Sequence, residues 1–279
     1  MKKLILFLSL SLFSFLATAT ELVSLIQTYQ ADRGALGRLY TNRLSGEYFT
    51  RMESFNRDYL KTLNAQNYGA LSEDGKIDYV LFRNYLEKQL AELDLEKRDF
   101  MQIQSVIAFG KPLESFVVSR RRAVQPDAQA LAAQWNQVAQ ALDAQHKALA
   151  TSSKYDSWQK AELAAQAVES LSKVVKESYD FYFDFDPSFT WWMPTPWGKL
   201  DAGMKSYAKA LRAHYTNSVK DDGSGIIGKP IGREALEKQL AFEMIAYSPE
   251  ELIAEAEKQF AWCEKEMLKA SNELGFGND

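Results

Sequence analysis

The strongest pattern along the chain is a spacing of three and four residues between apolar positions. It extends from Ser72 to Ala108 with few breakers, since Gly75 falls in the first turn and no proline occurs before Pro112. The apolar positions that fall near one face are Ile77, Leu81, Leu86, Leu90, Leu93, Phe100, Ile103 and Ile107. Because apolar residues at this spacing share one side of a helix, the pattern predicts one helix of roughly 50 Å at 1.5 Å per residue.

A second clear helix signal begins at Ser248. Ser248 suits an N-cap, Pro249 suits the first helical position, and Glu251 follows the cap by three residues. The apolar stripe that follows contains Ile253, Ala256, Phe260, Cys263, Met267, Ala270 and Leu274. Gly275 is the expected C′ residue. The stripe predicts a helix that packs against another helix, with Cys263 as a small buried residue.

The remainder of the chain reads as further helices joined by irregular segments. Helical spacing is also found in Asp127–Ala150, Tyr155–Phe185 and Gly198–Ser218. The segments predicted to be irregular are Gly110–Pro126, Asp186–Trp197 and Asp221–Gly232. No convincing alternation of apolar and polar residues indicates a strand. The sequence therefore predicts an all-α fold: a large multi-helix assembly with long helices and a few irregular aromatic and Gly-Pro loops.

Residues 1–19 have the layout of a cleaved secretory signal. Lys2 and Lys3 precede the apolar run Leu4–Leu16, and small residues follow at Ala17 and Ala19. The run is too short and too lightly flanked for a membrane-spanning helix. We therefore expect an exported protein, periplasmic or secreted after cleavage near Ala19, with residues 20–279 as its mature part and no membrane attachment thereafter.

The net charge limits the kinds of binding partner that are expected, and the cysteine content excludes disulfide bonds within the chain. The chain has 33 basic and 37 acidic side chains, and loss of the two signal lysines makes the mature part more acidic. An acidic surface disfavours nucleic acid as a partner. Cys263 is the only cysteine, so no intramolecular disulfide can form. Stability must come from the packing of a core, which a chain of this length can form.

No catalytic or metal-binding motif is visible in the sequence. His146 and His214 are the only histidines, and neither has a second histidine at helical spacing, so no zinc site is expected from them. The glycines from Gly223 to Gly228 match a dinucleotide fingerprint, but no strand precedes them, and Pro230 occupies the position where a phosphate loop needs Ser or Thr. We predict a loop here, either flexible or lining a ligand cleft, and no cofactor for this chain.

Phe189–Trp197 is an aromatic segment bounded by prolines. Its prolines predict that it is neither a regular helix nor a central strand. Two interpretations stay open: the segment packs as a plug between helices, or Trp191 and Trp192 line a substrate groove. The short basic run Arg120–Arg122 is interpreted as a solvated patch.

Several stretches together resemble the bacterial family called domain of unknown function 885. The most similar one is Ile226–Leu236, which contains Gly228, Pro230 and Arg233. The other stretches are Ile77–Tyr79, Arg83–Glu87, Phe189–Trp192, Phe242–Ile245, Pro249–Ile253 and Phe260–Glu264. These stretches span most of the mature chain, so their combination is specific although each alone is weak.

The resemblance implies a helical, exported, metallopeptidase-like protein. In complete members the zinc-binding histidines and glutamate are expected in a later segment, so this chain matches the N-terminal half and carries none of those ligands. The partners implied are a peptide substrate and the missing C-terminal half. The substrate-facing residues expected here are Trp191, Trp192, Gly228, Pro230 and Arg233. The alternative is a stand-alone, non-catalytic periplasmic protein that binds a peptide or a partner protein.

Overall fold

The computed structural model describes residues 22–149, 157–215, 228 and 230–277. All regular secondary structure in those ranges is helical, which confirms the all-α prediction. The chain divides into two compact units, Met1–Ile227 and Gly228–Asp279. The predicted signal and the glycines from Gly223 to Gly225 fall outside the described residues. Among the described helices, none has both the length and the apolar character needed to cross a bilayer.

The first unit contains eight described helices and the second contains two. In the first unit they are α1 (residues 22–39), α2 (Gly46–Asn64), α3 (Glu73–Ile103), α4 (Lys111–Arg121), α5 (Ala128–Leu149), α6 (Trp158–Tyr182), α7 (Pro187–Trp192) and α8 (Pro194–Tyr215). In the second unit they are α9 (Arg233–Phe242) and α10 (Pro249–Glu273). Short 3-10 turns at Tyr68–Ala70 and Ala108–Gly110 flank α3 on its two sides.

The long helix predicted from Ser72 is confirmed as α3, with Ser72 accepting a hydrogen bond from the Gly75 amide as its N-cap. Its buried residues are Phe82, Leu86, Leu93, Phe100 and Ile103. The prediction that Ile77 and Leu81 belong to the buried face is wrong, because both are at least half exposed. The buried side of α3, which packs partly against α2, includes Phe82. Ile77 and Leu81 do not belong to that side.

Helices α4 to α8 form the main core of the first unit. α8 packs against both α5 and α6, and α4 packs against α6. Small buried residues on α6 (Ala161, Ala164, Ala165 and Ala167) leave room for neighbouring helices to approach closely. The guanidinium of Arg212 on α8 binds the carboxylates of Glu162 and Glu169 on α6. The predicted helical segments on either side of residues 150–156 are thus confirmed where they are described.

Two segments predicted to be irregular are largely helical. Gly110–Pro126 contains α4, and Asp186–Trp197 contains α7 and the start of α8. The prolines are compatible with these helices because Pro112, Pro187 and Pro194 each lie in a first turn, where the missing N–H has no intrahelical acceptor. Phe189–Trp197 is therefore helical on both sides of Met193, where α7 ends and α8 has not yet begun, so the prediction of an irregular segment is wrong.

In the second unit α10 begins as the sequence predicts. Ser248 and Glu251 form a capping box, and Gly275 has a positive φ of 82° just after the helix. The apolar stripe of α10, however, is exposed: Ile253, Phe260, Met267 and Leu274 are each more than 60% exposed. Cys263 is exposed as well, so its predicted burial is wrong, and no described residue of the second unit covers the stripe.

Candidate functional site

A cavity of about 760 Å³ in the first unit is lined by several polar and charged side chains. It lies beside α2 and α4 and reaches the end of α3 and the turn that follows. Charged side chains of both signs line it, namely Glu47, Arg51, Lys111 and Glu114, and Phe100 contributes an apolar wall. We call this cavity the Glu114 cleft. Its size is typical of small-molecule and peptide side-chain sites, which span roughly 300–1,000 Å³.

Glu114 is held in place by a chain of hydrogen bonds from residues distant in the sequence. The amide nitrogen of buried Asn42 donates to the Glu114 Oε1 atom at 3.2 Å. The Asn42 side-chain oxygen accepts in turn from the Ser170 hydroxyl at 3.2 Å. Ser45, which caps α2, donates to the Asn42 carbonyl at 2.9 Å. The loop between α1 and α2 therefore fixes the position of the Glu114 carboxyl group through Asn42.

The environment of Glu114 raises the pKa of its carboxyl group to about 7. The largest cause of the raised pKa is the partial removal of the carboxyl group from water, and the negative charge of Glu47 raises the pKa further. The hydrogen bond from Asn42 and the positive charge of Lys111 act in the opposite direction and only partly offset these effects. A carboxyl group that titrates near neutrality in a cleft can accept or donate a proton there, which marks it as a functional candidate.

The other charges of the cleft favour binding of a ligand that carries both signs. Arg122 lies 4.0 Å from Glu47 and so partly compensates that carboxylate. Arg51 and Lys111 form no ion pair within 4.0 Å among the described residues. A short peptide could place its ammonium group near the two glutamates and an anionic group near the two cations. The cleft offers recognition of this kind, and its lining residues include neither histidine nor cysteine.

The five residues predicted to face substrate fall into two groups. Trp191 and Trp192 are neighbours on α7 in the first unit and are 80% and 41% exposed; Phe181 and Phe185, which precede α7 in the sequence, are exposed as well. Gly228, Pro230 and Arg233 belong to the second unit and are all exposed. The Arg233 guanidinium is occupied by ion pairs with Glu250 at 2.7 Å and Glu237 at 3.1 Å, which join the starts of α9 and α10.

The Glu114 cleft was not found from the sequence, and the reason is local. Glu114 lies in a segment that is predicted to be irregular. The sequence therefore does not predict its position on α4 beside the buried Leu113, Phe116 and Val117. A carboxylate placed beside an apolar helix face is a usable signal, but only once the helix itself is assigned.

The described residues do not fit a zinc site. Across residues 22–149, 157–215 and 230–277, no three His, Cys, Asp or Glu side chains are arranged to hold a metal ion. The His146 ring lies 5.8 Å from the Tyr207 ring, as a packed aromatic neighbour. His214 is exposed near the end of α8. Neither histidine has the companions that a catalytic zinc needs.

Comparison with known proteins identifies the family and no nearer relative. No match was found among curated proteins or among solved structures. One family model, described as "Bacterial protein of unknown function (DUF885)", matches residues 28–279, which include nearly all of both compact units. The chain therefore belongs to the DUF885 family of bacterial proteins.

Proposed function

We propose that this chain is the helical N-terminal scaffold and substrate-cleft portion of an exported, zinc-dependent peptidase. The zinc ligands would come from another segment of the same protein, since the described residues do not supply them. The class of activity is taken from the metallopeptidase-like character that the sequence resemblance implies for the DUF885 family, to which the chain belongs. The observation that carries the proposal is the exposed apolar stripe of α10.

That stripe is too apolar and too continuous for a surface that stays in water. Ile253, Phe260, Met267 and Leu274 are spaced by seven residues and are all more than 60% exposed. Trp262 and Leu268 add further exposed apolar area on the same helix. Contiguous apolar patches of this kind mark interaction surfaces, and the three-and-four spacing is that of a helix seam. The zinc-bearing segment is the proposed occupant.

The substrate side of the proposal rests on the Glu114 cleft. Its two carboxyl groups, its two cations and its apolar wall suit a short stretch of peptide better than a purely apolar or purely anionic ligand. The exposed Trp191 and Trp192 of the same unit are aromatic side chains that could make further peptide contacts. Gly228, Pro230 and Arg233 stay substrate-contact candidates of the second unit.

The alternative is a stand-alone, non-catalytic periplasmic protein that binds a peptide or partner. One observation favours it. The residues that line the Glu114 cleft all belong to the first unit, so no residue of a zinc-bearing segment is needed to form the cleft. In that case the stripe of α10 would be covered by a partner protein instead of a zinc-bearing segment.

The two functions can be distinguished by the zinc content and the peptidase activity of the native protein isolated from its own cell. The proposal predicts about one zinc ion per chain and hydrolysis of a mixed peptide library that a chelator abolishes and zinc restores. Residues 20–279 produced alone should bind zinc only weakly and cleave nothing. A native protein without zinc and without peptidase activity, or tight zinc binding by residues 20–279 alone, would contradict the proposal.

A matched pair of substitutions in the native protein tests the role of α10. Phe260→Asp places a charge in the stripe and should reduce zinc content and peptide hydrolysis by about tenfold or more, because burial of an unpaired charge costs several kcal/mol. Gln259→Asp adds the same charge one position away, outside the stripe, and should leave both unchanged. Equal effects of the two variants would show that the stripe does not hold the zinc-bearing segment.

A further inference from the structure

A second cavity of the first unit, about 510 Å³ in volume, lies between α1 and α3. It shares no lining residue with the Glu114 cleft and is formed by described residues only. Tyr29, Phe82 and Tyr85 line it with aromatic rings, and Arg33 and Gly34 contribute from the same side as Tyr29. We call it the Arg33 pocket.

The aromatic rings of the Arg33 pocket are fixed before any ligand arrives. The Tyr29 ring meets Phe82 edge to face with centroids 5.3 Å apart, and meets Tyr85 in the same way at 5.8 Å. Tyr29 is only 2% exposed, and its hydroxyl donates to the side-chain oxygen of buried Asn56 at 2.8 Å. The two buried rings thus form a rigid floor for the partly exposed Tyr85 and Ile26, and a preformed apolar site binds with little loss of conformational entropy.

Arg33 supplies a positive charge that its protein neighbours orient without neutralising. One terminal nitrogen donates to the Tyr85 hydroxyl at 2.6 Å, and the other donates to the Gln89 side-chain oxygen at 2.6 Å. Both acceptors are neutral, and no carboxylate of the described residues forms an ion pair with Arg33 within 4.0 Å. A guanidinium has five N–H donors, so donors remain free for an anion.

Gly34 leaves the pocket open although the packing of the protein does not require a glycine there. A Cβ atom at this position would come no closer than 3.5 Å to another group, the Arg38 guanidinium. Glycine inside a helix costs about 1 kcal/mol relative to alanine. Gly37, one turn further on, also has open space around its Cβ position but does not line the pocket.

From these features we propose that the Arg33 pocket binds a carboxylate attached to an aromatic or branched apolar group. The apolar part would lie against Tyr85 and Ile26, over the buried rings of Tyr29 and Phe82, and the carboxylate would accept hydrogen bonds from the free donors of Arg33. Charge-assisted bonds between arginine and carboxylate are strong and directional. A free monocarboxylic acid and the C-terminus of a peptide that ends in an apolar residue share this chemistry. The inference does not depend on zinc or on peptidase activity.

Titration calorimetry with residues 20–279 tests the ligand class. We expect 3-phenylpropanoate to bind at least about tenfold more tightly than 3-phenylpropan-1-ol, acetate or inorganic phosphate, because each of these lacks either the carboxylate or the apolar group. Tighter binding of Ala-Ala-Phe than of 3-phenylpropanoate, lost on amidation of its C-terminus, identifies a peptide terminus as the ligand. The reverse order identifies a small acid. Equal binding of the acid and the alcohol, or no binding of any acid, overturns the proposal.

Two matched pairs of variants locate the binding. Arg33→Gln should abolish the preference for the acid over the alcohol, whereas Arg121→Gln, which removes an equal charge from the exposed last residue of α4, should not. Gly34→Leu should block the pocket and lower affinity for the acid by about tenfold or more, whereas Gly37→Leu should not. Thermal melts followed by circular dichroism confirm that each variant folds. Unchanged binding in Arg33→Gln or in Gly34→Leu contradicts the assignment of this pocket.

Discussion

Replacement of Phe189 by alanine is expected to lower the free energy of unfolding of the first unit by about 3–5 kcal/mol. The Phe189 side chain is fully buried. Its ring stacks on Phe116 at 6.2 Å and lies 5.5 Å and 5.2 Å from the rings of Tyr179 and Tyr182. Removal of the ring leaves a cavity that these aromatic neighbours, themselves on α4 and α6, cannot readily fill.

Trp191 is the matched control for Phe189. It lies two residues away on the same short helix but is 80% exposed, so Trp191→Ala should change the unfolding free energy by less than about 0.5 kcal/mol. Urea unfolding of residues 20–279 and of both variants measures the difference. Similar losses for both substitutions would contradict the division of this segment into a buried plug, with Phe189 and Met193, and an exposed surface, with Trp191 and Trp192.

Replacement of Glu114 by glutamine is expected to make the protein more stable at pH 8 and to change little at pH 5. The folded-state pKa of about 7 lies above the ordinary carboxyl value of 4.5, so the folded protein binds a proton that the unfolded chain releases. The contribution of Glu114 to the free energy of unfolding is therefore greatest in acid. It is lost as the pH rises from 4.5 through 7. The loss amounts to at most about 3 kcal/mol, and the neutral glutamine does not incur it.

Urea unfolding at pH 5 and at pH 8 measures this effect. Glu96→Gln, which removes an exposed carboxylate from α3, is the control for a general change of charge. The difference between Glu114→Gln and the unmodified chain should grow with pH, and the difference for Glu96→Gln should not. A stability difference for Glu114→Gln that is constant between the two pH values would contradict the raised pKa.

The sequence predicted those features that depend on neighbouring residues. The caps at Ser72 and Ser248 act over three residues, and both were located correctly with their helices α3 and α10. The prolines of Phe189–Trp197 were misinterpreted because a proline can end one helix or begin the next, as Pro194 begins α8, and the local sequence does not distinguish the two.

The features that were missed depend on contacts between distant residues. Ile77 and Leu81 were assigned to the wrong face because the choice among adjacent apolar stripes of α3 depends on the helices that cover it. The Glu114 cleft depends on hydrogen bonds that join Asn42 to Glu114 across 72 residues and to Ser170 across 128 residues. A single sequence contains no signal for such pairs, so the Glu114 cleft cannot be predicted before the helices are placed.

The central claim is that these residues form one part of an exported, zinc-dependent peptidase. The most direct measurement is the size of the native polypeptide in the periplasmic fraction of its own cell, by immunoblot with antibody raised against residues 20–279. The proposal predicts a band at roughly twice the 31.7 kDa of this chain, long enough to supply the zinc ligands and cover α10. A band slightly below 31.7 kDa, as expected for residues 20–279 alone, would contradict it and favour the stand-alone binding protein.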